Sequence, residues 1–301
     1  MRLVADHVLV TVPATAGNLG PGFDALGIAL GVRDEVEVRA VATGETTIEI
    51  VGEGAETLAR DESHLVVRAL REALDSVGAS QVGLEIRARN RIPHGKGLGS
   101  SAAAVVAGVI AARAMIAEPE ALDAAAALRL ATAFEGHPDN AAPAIYGGAT
   151  VAWVDEEGAH ASSLDLDPAI ETAVLVPEST LPTKEARAVL PPQVPHSHAA
   201  FNVGRAALLV NALGGRPELL LPATEDRLHQ TYRANVMAPA VAMLQHLRGE
   251  GFAAVVSGAG PSVLVLGTGL GELNWPQGIG DETWELIHTV GPVAGAKAKR
   301  L

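Results

Sequence analysis

Apolar positions recur along this chain with two periods, and the places where the period changes mark its elements. Residues 7–13 alternate weakly and are rich in valine, which predicts a strand. Residues 36–41 and 46–51 alternate polar and apolar, extending it into a meander of antiparallel strands. Leu65, Val66, Ala69, Leu70, Ala73, Leu74 and Val77 then repeat at helical spacing, so 64–77 is read as a helix. Residues 82–88 alternate again as a strand. From 100 to 116 the chain is apolar almost all round, which predicts a helix buried in the middle of the protein. Helical spacing continues through 119–134, and 138–146 reads as a short helix with Pro138 in its first turn. Further strands are predicted at 147–154, 173–176, 252–257 and 262–266, and helices at 199–213 and 236–249. Residues 189–198 and 267–280 read as loops, the first carrying prolines and the second glycines.

Strands and helices mix without a regular βαβ repeat, which favours an α+β fold over a doubly wound one. No flexible linker marks a border. The chain is expected to pass from an N-terminal half, 1–154, to a C-terminal half, 155–301, after the strand at 147–154.

Composition narrows the function more than the fold. Of 301 residues, 48% are hydrophobic and 19% charged, which fits a well-cored globular protein and excludes disorder. The longest apolar run, 102–112, ends at Arg113, short of the roughly 18 residues that a membrane span needs. The N-terminus shows no basic segment followed by an apolar core, and cysteine is absent, so a cytoplasmic address is expected. The net charge is −13, aromatics are 3%, and no basic cluster precedes Lys297-Ala298-Lys299-Arg300, which reads as a solvated tail. Neither a nucleic acid nor a membrane is expected as a partner. An acidic protein still binds a polyphosphate if backbone amides and a divalent cation supply local positive potential.

Such a place is offered by Pro93-His94-Gly95-Lys96-Gly97-Leu98-Gly99-Ser100-Ser101. Three alternate glycines let amides converge on an anion, and the apolar helix behind adds its unpaired N–H groups and its dipole. Ser100 and Ser101 can cap that helix, and one hydroxyl can ligate Mg2+. Neither common phosphate motif matches, because G-x-x-x-x-G-K-[ST] is absent and a dinucleotide fingerprint would need glycine at 100. The competing reading is a tight strand-to-helix turn with a serine cap.

Three other places carry candidate chemistry. In Phe134-Glu135-Gly136-His137-Pro138-Asp139-Asn140, Glu135 ends a helix, where a carboxylate opposes the dipole unless a cation offsets it. Asp139 suits a helix cap as well as a catalytic role, and His137 alone implies little. In the turn-rich stretch 14–24, Asn18 is a natural turn former, whereas Asp24 sits among apolar residues and needs a partner. Ser257-Gly258-Ala259-Gly260-Pro261-Ser262 reads by itself as a hairpin or loop. Arg187 and Arg233 stand in weakly charged stretches, and each alone would pass for a surface residue.

Together these segments resemble a family. Pro13 to Asp24, Gly97 to Ala103 and Ser257 to Ser262 are similar, in order, to the three motifs of the GHMP kinases. Within that superfamily, His137-Pro138-Asp139-Asn140 with Ala141-Ala142-Pro143, Pro182 to Arg187 and His229 to Arg233 resemble the branch acting on L-homoserine. The resemblance implies an N-terminal ribosomal-protein-S5-domain-2-like half that binds ATP and a ferredoxin-like C-terminal half. It implies ATP at Pro93, Gly95, Gly97, Leu98, Gly99, Ser100, Ser101 and Ala102, with Mg2+ between Ser101 and Glu135. It implies L-homoserine among Asn18, Asp24, His137, Asp139, Thr183, Arg187 and Arg233, with Asp139 and Asn18 as catalytic candidates. Lys96 receives no role, and 61–67 is the expected adenine wall. A homodimer serving threonine biosynthesis is also implied. The alternatives are a kinase for another alcohol such as mevalonate, or a non-catalytic ligand sensor with the same fold.

Overall fold

The strand begun at His7 does not stop at Pro13. It runs on through the turn-like residues to Gly17, which carries the N-terminal motif into the interior. In this computed structural model, which describes residues 1–301 apart from the side chain of Glu272, that strand is β1 (His7–Gly17). It pairs antiparallel with β2 (Leu26–Val41), and their register shifts between Pro13 and Ala14, where proline has no N–H to give the ladder. β3 (Thr46–Gly52) does not continue the expected antiparallel meander. It lies parallel to β4 (Gly83–Asn90), because the chain between them folds into α1 (Leu65–Ser76) and returns in the same direction.

The apolar helix is α2 (Ser100–Met115), buried over most of its length and packed against α1 and β1. The helical stretch expected at 119–134 is divided at Asp123. A single 3₁₀ turn, Pro119–Leu122, precedes that residue, and Asp123 caps α3 (Ala124–Glu135) by accepting a bond from Ala126 N at 2.8 Å. Gly136, at φ 82°, ends α3 in the left-handed conformation that glycine adopts without cost. α4 (Ala141–Tyr146) starts after Asn140, three residues later than expected, leaving His137 to Asn140 as a connecting turn.

β5 (Ala149–Asp155) pairs with β2, and β6 (Gly158–Leu164) pairs with β5. A second sheet has the order β10-β7-β9-β8, from β7 (Glu171–Pro177), β8 (Ala253–Val256), β9 (Val263–Gly267) and β10 (Trp284–Val290). Ahead of β8 lie α5 (Thr183–Ala188), α6 (His196–Leu213), α7 (Leu220–Ala223) and α8 (Ala238–Gly249). Val174, Val255, Leu264 and Leu266 point into the large core shared with the first sheet; Ala173, Leu175, Met243 and Leu247 form a second core beneath α8. The α+β architecture is thus the one the pattern of elements implies. β6, β10, α5 and α7 were not legible in that pattern, and 267–280 contains the 3₁₀ turns Leu270–Glu272 and Ile279–Asp281.

The last residues correct an expectation. Lys297–Arg300 is not a solvated tail but β11, paired with β1 at the edge of the first sheet. Its side chains remain exposed, yet Arg300 Nε donates to Ala114 O at 2.8 Å, placing a cation at the C-terminal end of α2. The first sheet therefore takes two strands, β6 and β11, from beyond residue 154. No helix among the described residues is long and apolar enough to cross a membrane.

Candidate active site

Three segments far apart in sequence meet at the N-terminus of α2. Thr15 N donates to Leu98 O at 3.0 Å, and Ser257 Oγ to Gly97 O at 2.7 Å. Gly258 N donates to Gly17 O at 3.1 Å, and Asn18 Nδ2 to Gly258 O at 2.8 Å. Gly97 has φ 74°, and a Cβ there would collide with Ser257 O, so only glycine permits this approach. The distal loop 257–262 is therefore the floor under the glycine loop. The N-cap of α2 is Gly99, with no side-chain cap; Ser100 and Ser101 do not cap the helix as expected but line the cavity in front of it. The uncapped first turn favours an anion.

The acidic residues gather on the opposite wall. Ser101 Oγ donates to Glu135 Oε1 at 2.6 Å. Burial pushes the Glu135 carboxyl above its ordinary range, with the Ser101 bond pulling against it. A hydroxyl and a carboxylate this close, both hard oxygen donors, suit Mg2+. Next to them, Asp139 is almost fully buried, with Oδ1 at 2.5 Å from His137 Nδ1. Burial pulls His137 down, but the bond and the charge of Asp139 outweigh it and hold the imidazole above its usual value. Asp139 Oδ2 has no hydrogen-bond partner among the described residues and abuts Gly17, where a Cβ would strike it.

The basic residues close the far end. Arg187 Nη2 and Nη1 donate to Asp24 Oδ1 and Oδ2 at 2.5 Å and 3.2 Å, both side chains about one-third exposed. Thr183 stands one turn before Arg187 on α5. Arg233 is fully buried; its Nε donates to Ala186 O at 3.1 Å and its Nη1 to Gly258 O at 3.3 Å. Its Nη2 has no partner among the described residues, and burial lowers its pKa to about 10. Phe23 lies beneath both guanidinium groups, 5.4 Å from that of Arg187 and 5.8 Å from that of Arg233.

Asn18, Gly95, Gly97, Leu98, Gly99, Ser100, Ser101, Glu135, His137, Asp139, Thr183, Arg187 and Arg233 thus line one cavity of about 280 Å³. Pro93, Lys96 and Ala102 do not line it. Asp24 meets it through Arg187. Asn18 is tied at both ends to backbone, for its Oδ1 accepts from Asp24 N at 2.9 Å, so its amide joins the two outer motifs. A second cavity of about 270 Å³ adjoins, sharing Ser100 and Ser101, and Ser63, His64, Leu65 and Val66 of the expected wall border it.

Sequence reasoning assigned no role to Asn140 or His229. Asn140 Oδ1 accepts from Thr15 Oγ1 at 3.0 Å, tying the turn after α3 to β1; its adjacency to Asp139 was the available signal. His229 accepts from Arg233 Nη1 on Nδ1 at 3.0 Å, so its Nε2–H donates to Gly20 O at 2.8 Å. Burial lowers its pKa, which keeps the ring neutral and able to accept from a cation. Its place at the start of the His229 to Arg233 stretch was the available signal.

A glycine loop opening a buried helix, a hydroxyl–carboxylate pair and a basic far wall together define the class, that of the GHMP kinases, whose N terminal domain is matched over residues 64–148. The chain is 56% identical over 263 residues to the homoserine kinase of Streptomyces coelicolor, covering 87% of this chain and 85% of that one. It is 50% identical to the homoserine kinase of Clavibacter michiganensis, covering 88% and 84%. The crystal structure of homoserine kinase from Cytophaga hutchinsonii superposes with a TM-score of 0.83 at 25% identity, over 98% of each chain. The chain belongs to the homoserine kinase family.

Proposed function

We propose that this protein transfers the γ-phosphoryl group of ATP to the side-chain hydroxyl of L-homoserine, giving O-phospho-L-homoserine and ADP. The observation that carries this reading is the Arg187–Asp24 ion pair beside the unpartnered Nη2 of buried Arg233, at a cavity whose other end is the glycine loop. A zwitterion inserts into such a pair without leaving a charge unmatched. Its ammonium takes Asp24, and its carboxylate takes the forked nitrogens of Arg187 and Arg233. An anion without an ammonium, such as mevalonate, would free Arg187 only by leaving Asp24 unpaired.

The triphosphate lies along Gly95 to Ser101, on converging amides and the first turn of α2, in the half formed by residues 1–154. Residues 155–301 supply Thr183, Arg187 and Arg233. Ser101 and Glu135 would hold Mg2+, whose charge would offset that of the β- and γ-phosphates. Phosphoryl transfer through a loose transition state asks mainly for positioning and charge neutralisation. Thr183 and Arg187 hold the acceptor on one side and His137 on the other. Asp139, oriented by His137, takes the hydroxyl proton as the oxygen–phosphorus bond forms and the β–γ bridging bond breaks. Asn18 sets the turn that presents Asp24. The homodimer, the cytoplasmic address and the place in threonine biosynthesis belong to the same reading.

The test is release of ADP with L-homoserine or mevalonate as acceptor, with and without Mg2+. Turnover with homoserine alone is expected. Turnover with mevalonate and not homoserine would overturn the substrate, and binding of ATP and homoserine without turnover would replace the kinase by a ligand sensor.

A further inference from the structure

Arg233 is 0% exposed, yet no carboxylate forms an ion pair with it among the described residues. Every group that holds it is neutral. Nε donates to Ala186 O at 3.1 Å, while Nη1 donates to Gly258 O at 3.3 Å and to His229 Nδ1 at 3.0 Å. The acids whose charge acts on it are engaged elsewhere. Asp24 takes both terminal nitrogens of Arg187, and Asp139 lies against His137. Asp226 accepts from the backbone N–H groups of Leu228, His229 and Gln230.

Of the three acceptors on Arg233, two are backbone carbonyls and only His229 is a side chain. A guanidinium can only donate, so Nδ1 offers its lone pair and the proton of the neutral ring sits on Nε2, which donates to Gly20 O at 2.8 Å. Burial is the largest influence on the ring. Together with the charge of Arg233 it outweighs Asp226, Asp24 and the Gly20 bond, and holds the imidazole below its ordinary value. Gly20 belongs to the turn that leads into Asp24, so one ring ties the buried arginine to the segment carrying the acid.

We propose that His229 is a positioning residue for the carboxylate of the acceptor: as a neutral hydrogen-bond acceptor it fixes the buried guanidinium of Arg233 without cancelling its charge. This rests on Arg233 being the partner of that carboxylate in the reading above. A carboxylate at position 229 would hold the same nitrogen more tightly, but as a closed ion pair, and the substrate would then compete with a charge already in place. An imidazole fixes direction only. Nη2, the one nitrogen of Arg233 left without a partner, keeps its full attraction for an arriving anion.

The test is calorimetric binding of L-homoserine and, separately, of ADP to the full chain and to three variants. In His229→Asn the side-chain oxygen stands close to where Nδ1 stood, so the neutral acceptor is kept, and homoserine is expected to bind within about threefold of the unaltered affinity. His229→Asp has the same shape and one added negative charge, and homoserine is expected to bind about thirtyfold more weakly, the loss of a charge-assisted bond. The amide nitrogen of His229→Gln reaches Gly20 O but leaves Arg233 without its acceptor, and a loss of about tenfold is expected. ADP should bind all four proteins alike. A merely structural role would weaken the three variants together, or weaken ADP along with homoserine. Equal homoserine affinity in His229→Asn and His229→Asp overturns the inference; should the aspartate variant not fold, equal affinity in His229→Asn and His229→Gln overturns it. If homoserine binds and the variants separate as expected but no phosphoryl group is transferred, the kinase reading fails and this one stands. If the unaltered protein binds no homoserine, both fail.

Discussion

Arg187 clasps Asp24 with both terminal guanidinium nitrogens, joining α5 to the N-terminal turn across 163 residues of sequence. The pair accounts for a carboxylate in an apolar segment. Asp24 itself sits at φ 56°, held there because Asn18 Oδ1 accepts from its N–H. An ion pair this open to water stabilises the fold little, so a zwitterion can exchange with it at small cost.

Asp24→Asn should therefore raise the KM for L-homoserine by about thirtyfold or more, the worth of a charge-assisted hydrogen bond, while the nucleotide KM stays near its starting value. Initial rates at varied homoserine and ATP separate the two. An unchanged homoserine KM would remove Asp24 as the ammonium partner.

Ser101 and Glu135 should act together on the metal. Glu135→Gln and Ser101→Ala are each expected to lower turnover and raise the Mg2+ concentration needed for half-maximal rate. A Mg2+ titration of each variant measures this, and an unaltered midpoint in both would sink the assignment.

Asp139→Asn removes the proposed proton acceptor but keeps the shape of a nearly fully buried side chain. A general base contributes about a hundredfold or more, so turnover should fall by at least that factor while homoserine still binds. A rate near that of the unaltered enzyme would leave Asp139 with the task of orienting His137 alone.

His137 gives a pH prediction of definite sign. Burial lowers its pKa, but the Asp139 bond and charge raise it further, so the folded value lies above the unfolded one of about 6.5. Such a histidine contributes stability that is complete below pH 6.5 and lost as pH rises through the folded value. Urea unfolding at pH 6 and pH 8.5 should show a larger drop for the unaltered protein than for His137→Asn. Equal drops in both would show that the pair does not couple to folding.

Much of this was legible along the chain because it depends on near neighbours. The all-apolar run at 100–116 had to be buried, the spacing at 64–77 had to be helical, and alternate glycines before a helix favour an anion whatever surrounds them. The division of the helix at Asp123 lay in a cap signal that the continuous apolar spacing outweighed. The parallel pairing of β3 with β4 and the use of Lys297–Arg300 as a strand were not legible, since pairing partners and direction depend on where other segments lie.

The glycine loop and the helix behind it were legible in the sequence, because backbone conformation is a local property. The floor of the loop was not: Ser257 and Gly258 reach Gly97 and Gly17 only after the two sheets pack. The individual residues Asp24, Arg187 and Arg233 were all readable as types. Which of them pair, which keep an atom free and which are sealed from water was decided by the tertiary structure, because charge partners and burial arise from contacts between distant segments.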